Sequence, residues 1–240
     1  MSALIDGPVL GIETSGTLTG AALFRQGRLR AESSVDARAG SAEMLLDLVS
    51  RILQSHALAP RDLARVGVAL GPGSFTGLRV GLAAARGLAW GAGVPLIGVP
   101  SHQALAWAWR DLDRTIVLLT GLRRGQVFLE AGRWIADDWN EQIPAACVAL
   151  EEVGPWIARL PEAGSLLFTG EAVESVCEAH PFLRSLGTAV GEVAGAARRP
   201  AAVAALAARR SSSEAKGEDL DRLEPIYLRG ADARLPGAVG

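Results

Sequence analysis

The sequence predicts a mixed α/β fold in which helices cover a sheet, and three observations predict it. The opening reads as three consecutive strands, and at Ser41 the apolar spacing switches to a helical period. From there strands and helices alternate, giving the order β-β-β-α-β-α-β-α.

Val9–Glu13 is a short apolar run that ends at the polar cluster Thr14, Ser15, Gly16 and Thr17. Leu18–Phe24 follows, then Gln26-Gly27 as a hairpin turn, then Arg28–Val35 with loose alternation. In the next segment Met44, Leu45, Leu48, Ile52 and Leu53 share one helical face, with Glu43, Asp47 and Arg51 elsewhere. Ser41 is its expected N-cap, and Glu43 places negative charge in the first turn. Val66–Leu70 is a strand, Gly71–Phe75 a glycine-rich loop and Thr76–Trp90 a helix. Leu96–Val99 is another strand, and Ser101–Arg110 a tryptophan-rich helix.

The second half carries a weaker pattern. Thr115–Thr120, Gln126–Glu130 and Leu166–Thr169 read as strands, Val153–Leu160 and Ala172–Ala179 as helices. Ala201–Arg210 is a helix by alanine propensity. The run from Ser211 to Ser213, leading to Gly217, reads as a linker, and the Gly-, Pro- and Ala-rich tail after Arg229 is expected to fray. The expected division is a lobe over 1–110, a second lobe with a final helix over 111–229, and a flexible tail over 230–240.

Composition bounds the function. A chain of 240 residues, 49% hydrophobic and 21% charged, is an ordinary globular protein. Its net charge of −2 gives it no electrostatic reason to grip nucleic acid. Cys147 and Cys177 form no C-x-x-C and are expected as buried thiols of a cytoplasmic protein. The most apolar stretch, Gly77 to Val99, holds Arg79, Arg86 and Pro95, so it predicts a buried helix and strand rather than a membrane span.

Gly71-Pro72-Gly73-Ser74-Phe75-Thr76-Gly77 joins a strand to a helix. Glycines permit close backbone approach and a helix N-terminus favours an anion, so one reading is a phosphate site. The other is a tight turn capped by Ser74 or Thr76. A Walker A loop is excluded because Gly77 is followed by Leu78 and Arg79. The dinucleotide fingerprint is excluded because Thr76 stands where its third glycine belongs.

In the helix that follows, Gly77, Gly81 and Ala85 recur at every fourth position, with Leu78, Leu82, Ala89 and Trp90 alongside. Interior glycine costs about 1 kcal/mol relative to alanine, so the bare stripe needs a closely packed partner, inside this chain or on another.

The run Gly71-Pro72-Gly73-Ser74-Phe75-Thr76-Gly77-Leu78-Arg79, the opening Ile12-Glu13-Thr14-Ser15 and the closing Glu224-Pro225-Ile226-Tyr227-Leu228-Arg229 together resemble the bacterial TsaB (YeaZ) family. The resemblance implies an actin-like (ASKHA) fold of two ribonuclease-H-like lobes. It implies a non-catalytic subunit that pairs with a TsaD-like catalytic subunit, with a TsaE-like ATPase joining them, to place threonylcarbamoyl on N6 of an adenosine in tRNA. tRNA is then met only through the complex. Two helices form the family's docking surface, which also supports homodimers; here they are Ser41–Ser55 and Thr76–Trp90. The expected interface residues are Leu45, Leu48, Leu78, Arg79, Gly81, Leu82 and Ala85. Glu13, Thr14, Ser15, Gly71, Gly73 and Ser74 occupy the nucleotide- or phosphate-loop positions. The chain itself requires no cofactor on this reading, with ATP or ADP placed at the partner junction.

The chain departs from the family at Ser41-Ala42-Glu43, where His-Ser-Glu is usual, and at Gly121-Leu122-Arg123, where Asp-Ala-Arg is usual. Gln126 stands at an acidic position, and Glu13 where aspartate is common.

Enzymatic readings find less in the residues. His56, His102 and His180 have no metal-ligand spacing and read as surface or capping side chains. There is no H-E-x-x-H for a metalloprotease and no G-x-S-x-G elbow for a hydrolase. A small-molecule kinase of the same fold would use Glu13 near a metal, and Gly170-Glu171 is the nearest candidate for its second phosphate loop. A generic dimerisation module would use the glycine-striped helix.

Overall fold

The computed structural model describes residues 5–37, 42–160, 165–190, 200–210 and 222–228. The Ser41 cap, the Ser211–Gly217 stretch and the tail beyond Arg229 lie outside them.

The first sheet contains β1 (Val9–Glu13), β2 (Leu18–Arg25), β3 (Arg28–Asp36), β4 (Arg65–Ala69) and β5 (Leu96–Val99). Its order is β3-β2-β1-β4-β5. The three opening strands pair antiparallel, and β4 and β5 add in parallel. Between β2 and β3 the chain turns on Gln26 (φ 52°) and Gly27 (φ 71°), the left-handed pair that a two-residue hairpin requires. The two crossover helices are α1 (Ala42–Ser55) and α2 (Phe75–Ala92).

The second sheet repeats this plan. It contains β6 (Ile116–Arg123), β7 (Gln126–Ile135), β8 (Asp138–Ala149), β9 (Leu166–Thr169) and β10 (Gly187–Val190). Its order, β10-β9-β6-β7-β8, is the first sheet's order read from the other end. Again three antiparallel strands are followed by two parallel ones, with α4 (Val153–Ile157) and α5 (Val173–Ala179) as crossovers. Each half then closes with a helix: α3 (Ser101–Ala106) and α6 (Pro200–Arg209).

Several elements differ from the sequence expectation. The helix from Ser101 stops at Ala106 and continues as a 3-10 turn over Trp107–Trp109. β7 runs on to Ile135, and β8 and β10 were not expected at all. Register shifts around Ala131 interrupt the two-residue alternation by which a long strand announces itself.

Alternation in β1 sorts side chains to two cores. Leu10 and Ile12 face α1 and α2, with Leu45, Val49, Ile52, Leu82 and Ala85. Val9 faces the opposite side, where Ala204 and Ala207 of α6 meet Ile97, Ile116, Leu118 and Trp134 from both sheets. A third core, including Leu119, Leu129, Phe168 and Val176, lies under α4 and α5.

Although it follows the second sheet in the chain, α6 lies directly on the first. A Cβ at Gly11 would stand 2.5 Å from both Ala204 N and Pro200 O, and one at Gly67 2.6 Å from Ala207 Cβ. Only glycine lets backbone approach backbone so closely. The alanines of α6 supply the matching flat face. Arg65, almost fully buried, donates to the carbonyls of Ala207 and Arg210 at the end of that helix. Positive charge there complements the helix dipole.

Candidate functional site

The glycine-rich loop is tied down at both ends. At its start Gly71 adopts φ 107°, its N–H donates to Ser101 Oγ at 2.9 Å, and its carbonyl accepts from Ser101 N at 2.8 Å. At its end Ser74 caps α2 by accepting from Gly77 N at 3.2 Å, which resolves the choice between Ser74 and Thr76. Ser74 N in turn donates to Ser15 O at 2.8 Å, and Thr14 Oγ1 donates to Gly77 O at 2.7 Å.

The structure therefore gathers Glu13, Thr14, Ser15, Gly71, Gly73 and Ser74 around the head of α2. Glu13, Thr14 and Ser15 are buried, and Ser15 N–H donates to the Glu13 carboxylate. These bonds hold the β1–β2 turn against the chain's own helix.

The glycine stripe has the same internal partner. A Cβ at Gly77 would press on the Thr14 carbonyl, and one at Gly81 on the Thr14 hydroxyl. Leu45, Leu48, Leu78, Leu82 and Ala85 all lie in the first lobe's interior, and Gly81 is buried with them. Of the seven residues expected at an interface, six therefore face inward in this chain. They are apolar at helical spacing because they fill the core.

Arg79 alone of the seven is exposed. Its guanidinium lies 4.0 Å from the Phe75 ring centroid, and Nε donates to Tyr227 Oη at 3.1 Å. The closing segment thus straps α2. Ile226 N donates to Leu70 O at 2.7 Å, Arg86 donates to Leu223 O, and the Phe75 and Tyr227 rings stand 4.9 Å apart.

The outward face of the helix pair has its own small-residue row, Ala83, Gly87 and Gly91, all exposed. Beyond the helix's own backbone, neither glycine has an atom of the described residues within 4 Å of where a Cβ would stand. Beside them Trp90 is 80% exposed, and on α1 Leu46 is 46% exposed. Trp90 was read from the sequence only as apolar surface beside the inner stripe; Ala83, Gly87, Gly91 and Leu46 were missed, though the i, i+4 spacing of the first three carried a signal.

The histidine expectation needs correction at one position. His102 is fully buried, with Nδ1 2.9 Å from Glu130 Oε2 and Nε2 2.8 Å from Thr120 Oγ1. His56 instead sits at the C-terminal end of α1 within 3.0 Å of Ile52 O, and His180 contacts Leu150 O at 2.8 Å. Cys177 is buried and Cys147 half-buried. Burial pushes the Cys177 thiol pKa up. Among the described residues no three His, Cys, Asp or Glu side chains converge to hold a metal ion, and no helix is long and apolar enough to cross a membrane.

Two sheets of like order, each followed by a helix and the last of these returned to the first sheet, define an actin-like α/β protein of two ribonuclease-H-like lobes. The family model for TsaD, tRNA N6-adenosine threonylcarbamoyltransferase, matches residues 35–216. The TsaB protein of Bacillus subtilis, a tRNA threonylcarbamoyladenosine biosynthesis protein, is 30% identical over 94% of this chain and 95% of its own. That of Escherichia coli is 31% identical over 95% and 98%. Among solved structures, YeaZ from Pseudomonas aeruginosa superposes with a TM-score of 0.73 at 18% identity, covering 92% of this chain and all of that one, a likeness of fold. The chain belongs to the TsaD-related family and, within it, to the TsaB proteins.

Proposed function

We propose that this chain is the non-catalytic scaffold subunit for a TsaD-like enzyme in tRNA N6-threonylcarbamoyladenosine formation. The observation that carries the reading is the outward face of α1–α2, joined to full-length similarity with TsaB proteins. Gly87 and Gly91 each cost α2 about 1 kcal/mol relative to alanine and relieve no contact with the described residues, so a second molecule's close approach accounts for them. Trp90, 80% exposed on an otherwise well-packed lobe, is the residue type that anchors interfaces.

A non-catalytic role is supported at the head of α2. There the loop hydroxyls and amides bond to the chain's own backbone and to Glu13. In this reading a TsaE-like ATPase joins the pair, tRNA is held by the complex, and ATP or ADP binds at the junction with the partner. Without the partner the same face forms homodimers, and the chain works in the cytoplasm.

The test is reconstitution with the same organism's TsaD-like and TsaE-like proteins, tRNA and preformed threonylcarbamoyl adenylate. Modification should require this chain, and Trp90→Glu should abolish it while the variant stays folded. Full modification without the chain, or turnover of ATP and a sugar by the chain alone, would overturn the proposal.

A further inference from the structure

Buried hydrogen bonds join the two sheets at one dipeptide. Ser101 and His102 open α3, directly after the last strand of the first sheet, and both are fully buried. Ser101 closes both backbone groups of Gly71 in the first lobe. His102 reaches the second lobe, contacting Thr120 of β6 and Glu130 of β7. Glu130 Oε1 also accepts from Trp139 Nε1 of β8 at 2.8 Å. Around this point Trp134 of β7 donates to Ala106 O of α3 at 3.1 Å, and its ring meets Trp107 edge-on at 5.1 Å.

A carboxylate only accepts, so His102 Nδ1 carries the hydrogen toward Glu130, while the Thr120 hydroxyl, able to donate or accept, pairs with Nε2. Thr120 is fully buried and Glu130 nearly so. Any motion of one sheet against the other too small to admit water would leave an imidazole, a carboxylate and a hydroxyl buried without partners, the costliest way to break such bonds.

We propose that His102 is an inter-lobe lock: its two nitrogens, both satisfied by the second sheet, abolish the hinge between the lobes and make them a single cooperative unit. The glycine-rich loop bonded to Ser101 is thereby part of the same rigid block as β6 and β7. The inference concerns the free chain and stands whether or not the docking proposal holds.

Amide hydrogen exchange on the full chain tests it. In the wild-type protein the slowest amides of β1 and β4 and those of β6 and β9 should share protection within about threefold, as one unfolding unit requires. In Glu130→Gln and in Thr120→Val the two sets should part by about tenfold or more, the scale of one lost buried hydrogen bond. A downfield Nδ1–H resonance should vanish in Glu130→Gln and persist in Thr120→Val, the milder variant that keeps the His102–Glu130 pair. Sets that already differ in the wild type, or that fall together in the Thr120→Val protein, would overturn the lock. So would a missing Nδ1–H resonance in the wild type.

Discussion

Glycine→alanine at two positions of α2 should move stability in opposite directions. At Gly77 the added methyl would lie 3.2 Å from the carbonyl carbon of Thr14, nearer still to its oxygen, and 3.3 Å from Ser74 Cβ. Carbon contacts are comfortable at about 3.5–4.0 Å, so the head of the helix must retreat by roughly 1 Å. Overpacking of this kind costs about 1–3 kcal/mol. The retreat also stretches Thr14 Oγ1 to Gly77 O and Ser74 N to Ser15 O, each contributing about 1 kcal/mol. Alanine returns about 1 kcal/mol in helix propensity, leaving a net loss of roughly 2–4 kcal/mol.

At Gly87 the methyl meets none of the described residues beyond its own helix within 4 Å, so only the propensity gain of roughly 0.5–1 kcal/mol remains. Thermal unfolding followed by circular dichroism separates the two. For a chain of this length about 2–4 °C corresponds to each kcal/mol, so Gly77→Ala should fall by ~4–16 °C and Gly87→Ala rise by ~1–4 °C. A destabilised Gly87→Ala, or a neutral Gly77→Ala, would refute the assignment of the inner and outer faces.

Three further outcomes are expected. Gly11→Ala forces α6 off β1, because the methyl meets the backbone of Ala204 and Pro200; urea unfolding should show a loss of about 1–3 kcal/mol or more. Arg65→Met removes the donor to the carbonyls of Ala207 and Arg210, and should lower the urea midpoint and speed exchange at the end of α6. Burial, and then the Glu130 charge, raise the Glu141 carboxyl pKa. A raised acid pKa gives stability that is full below the unfolded value, about 4.3, and is lost as pH rises through the folded one. Glu141→Gln should therefore be more stable than the wild type at pH 7, the gap narrowing as pH falls toward 4 in parallel urea titrations.

Much of the first lobe was legible because its signals are local. Val9–Glu13 and Leu96–Val99 are strands bounded as the apolar runs are, and Gln26-Gly27 makes the hairpin its chemistry demands. The direction in which α2 faces was not legible. Gly77-Gly81-Ala85 and Ala83-Gly87-Gly91 have the same spacing, and nothing in one dimension says which row Thr14 will occupy. His102 escaped for a related reason: its partners lie 18 and 28 residues away, on strands brought to it only by the fold. β8 was hidden by the irregular register beside Ala131, and the hairpin before it turns on Ala136-Asp137 rather than on a glycine pair.

The most direct test of the central claim is light scattering coupled to size-exclusion chromatography, on this chain mixed with the same organism's TsaD-like subunit. A one-to-one heterodimer that forms with the wild type, but is weakened in Gly87→Ala and lost in Trp90→Glu, is the predicted result. A heterodimer that Trp90→Glu leaves intact, or no association with or without ATP or ADP, would contradict it.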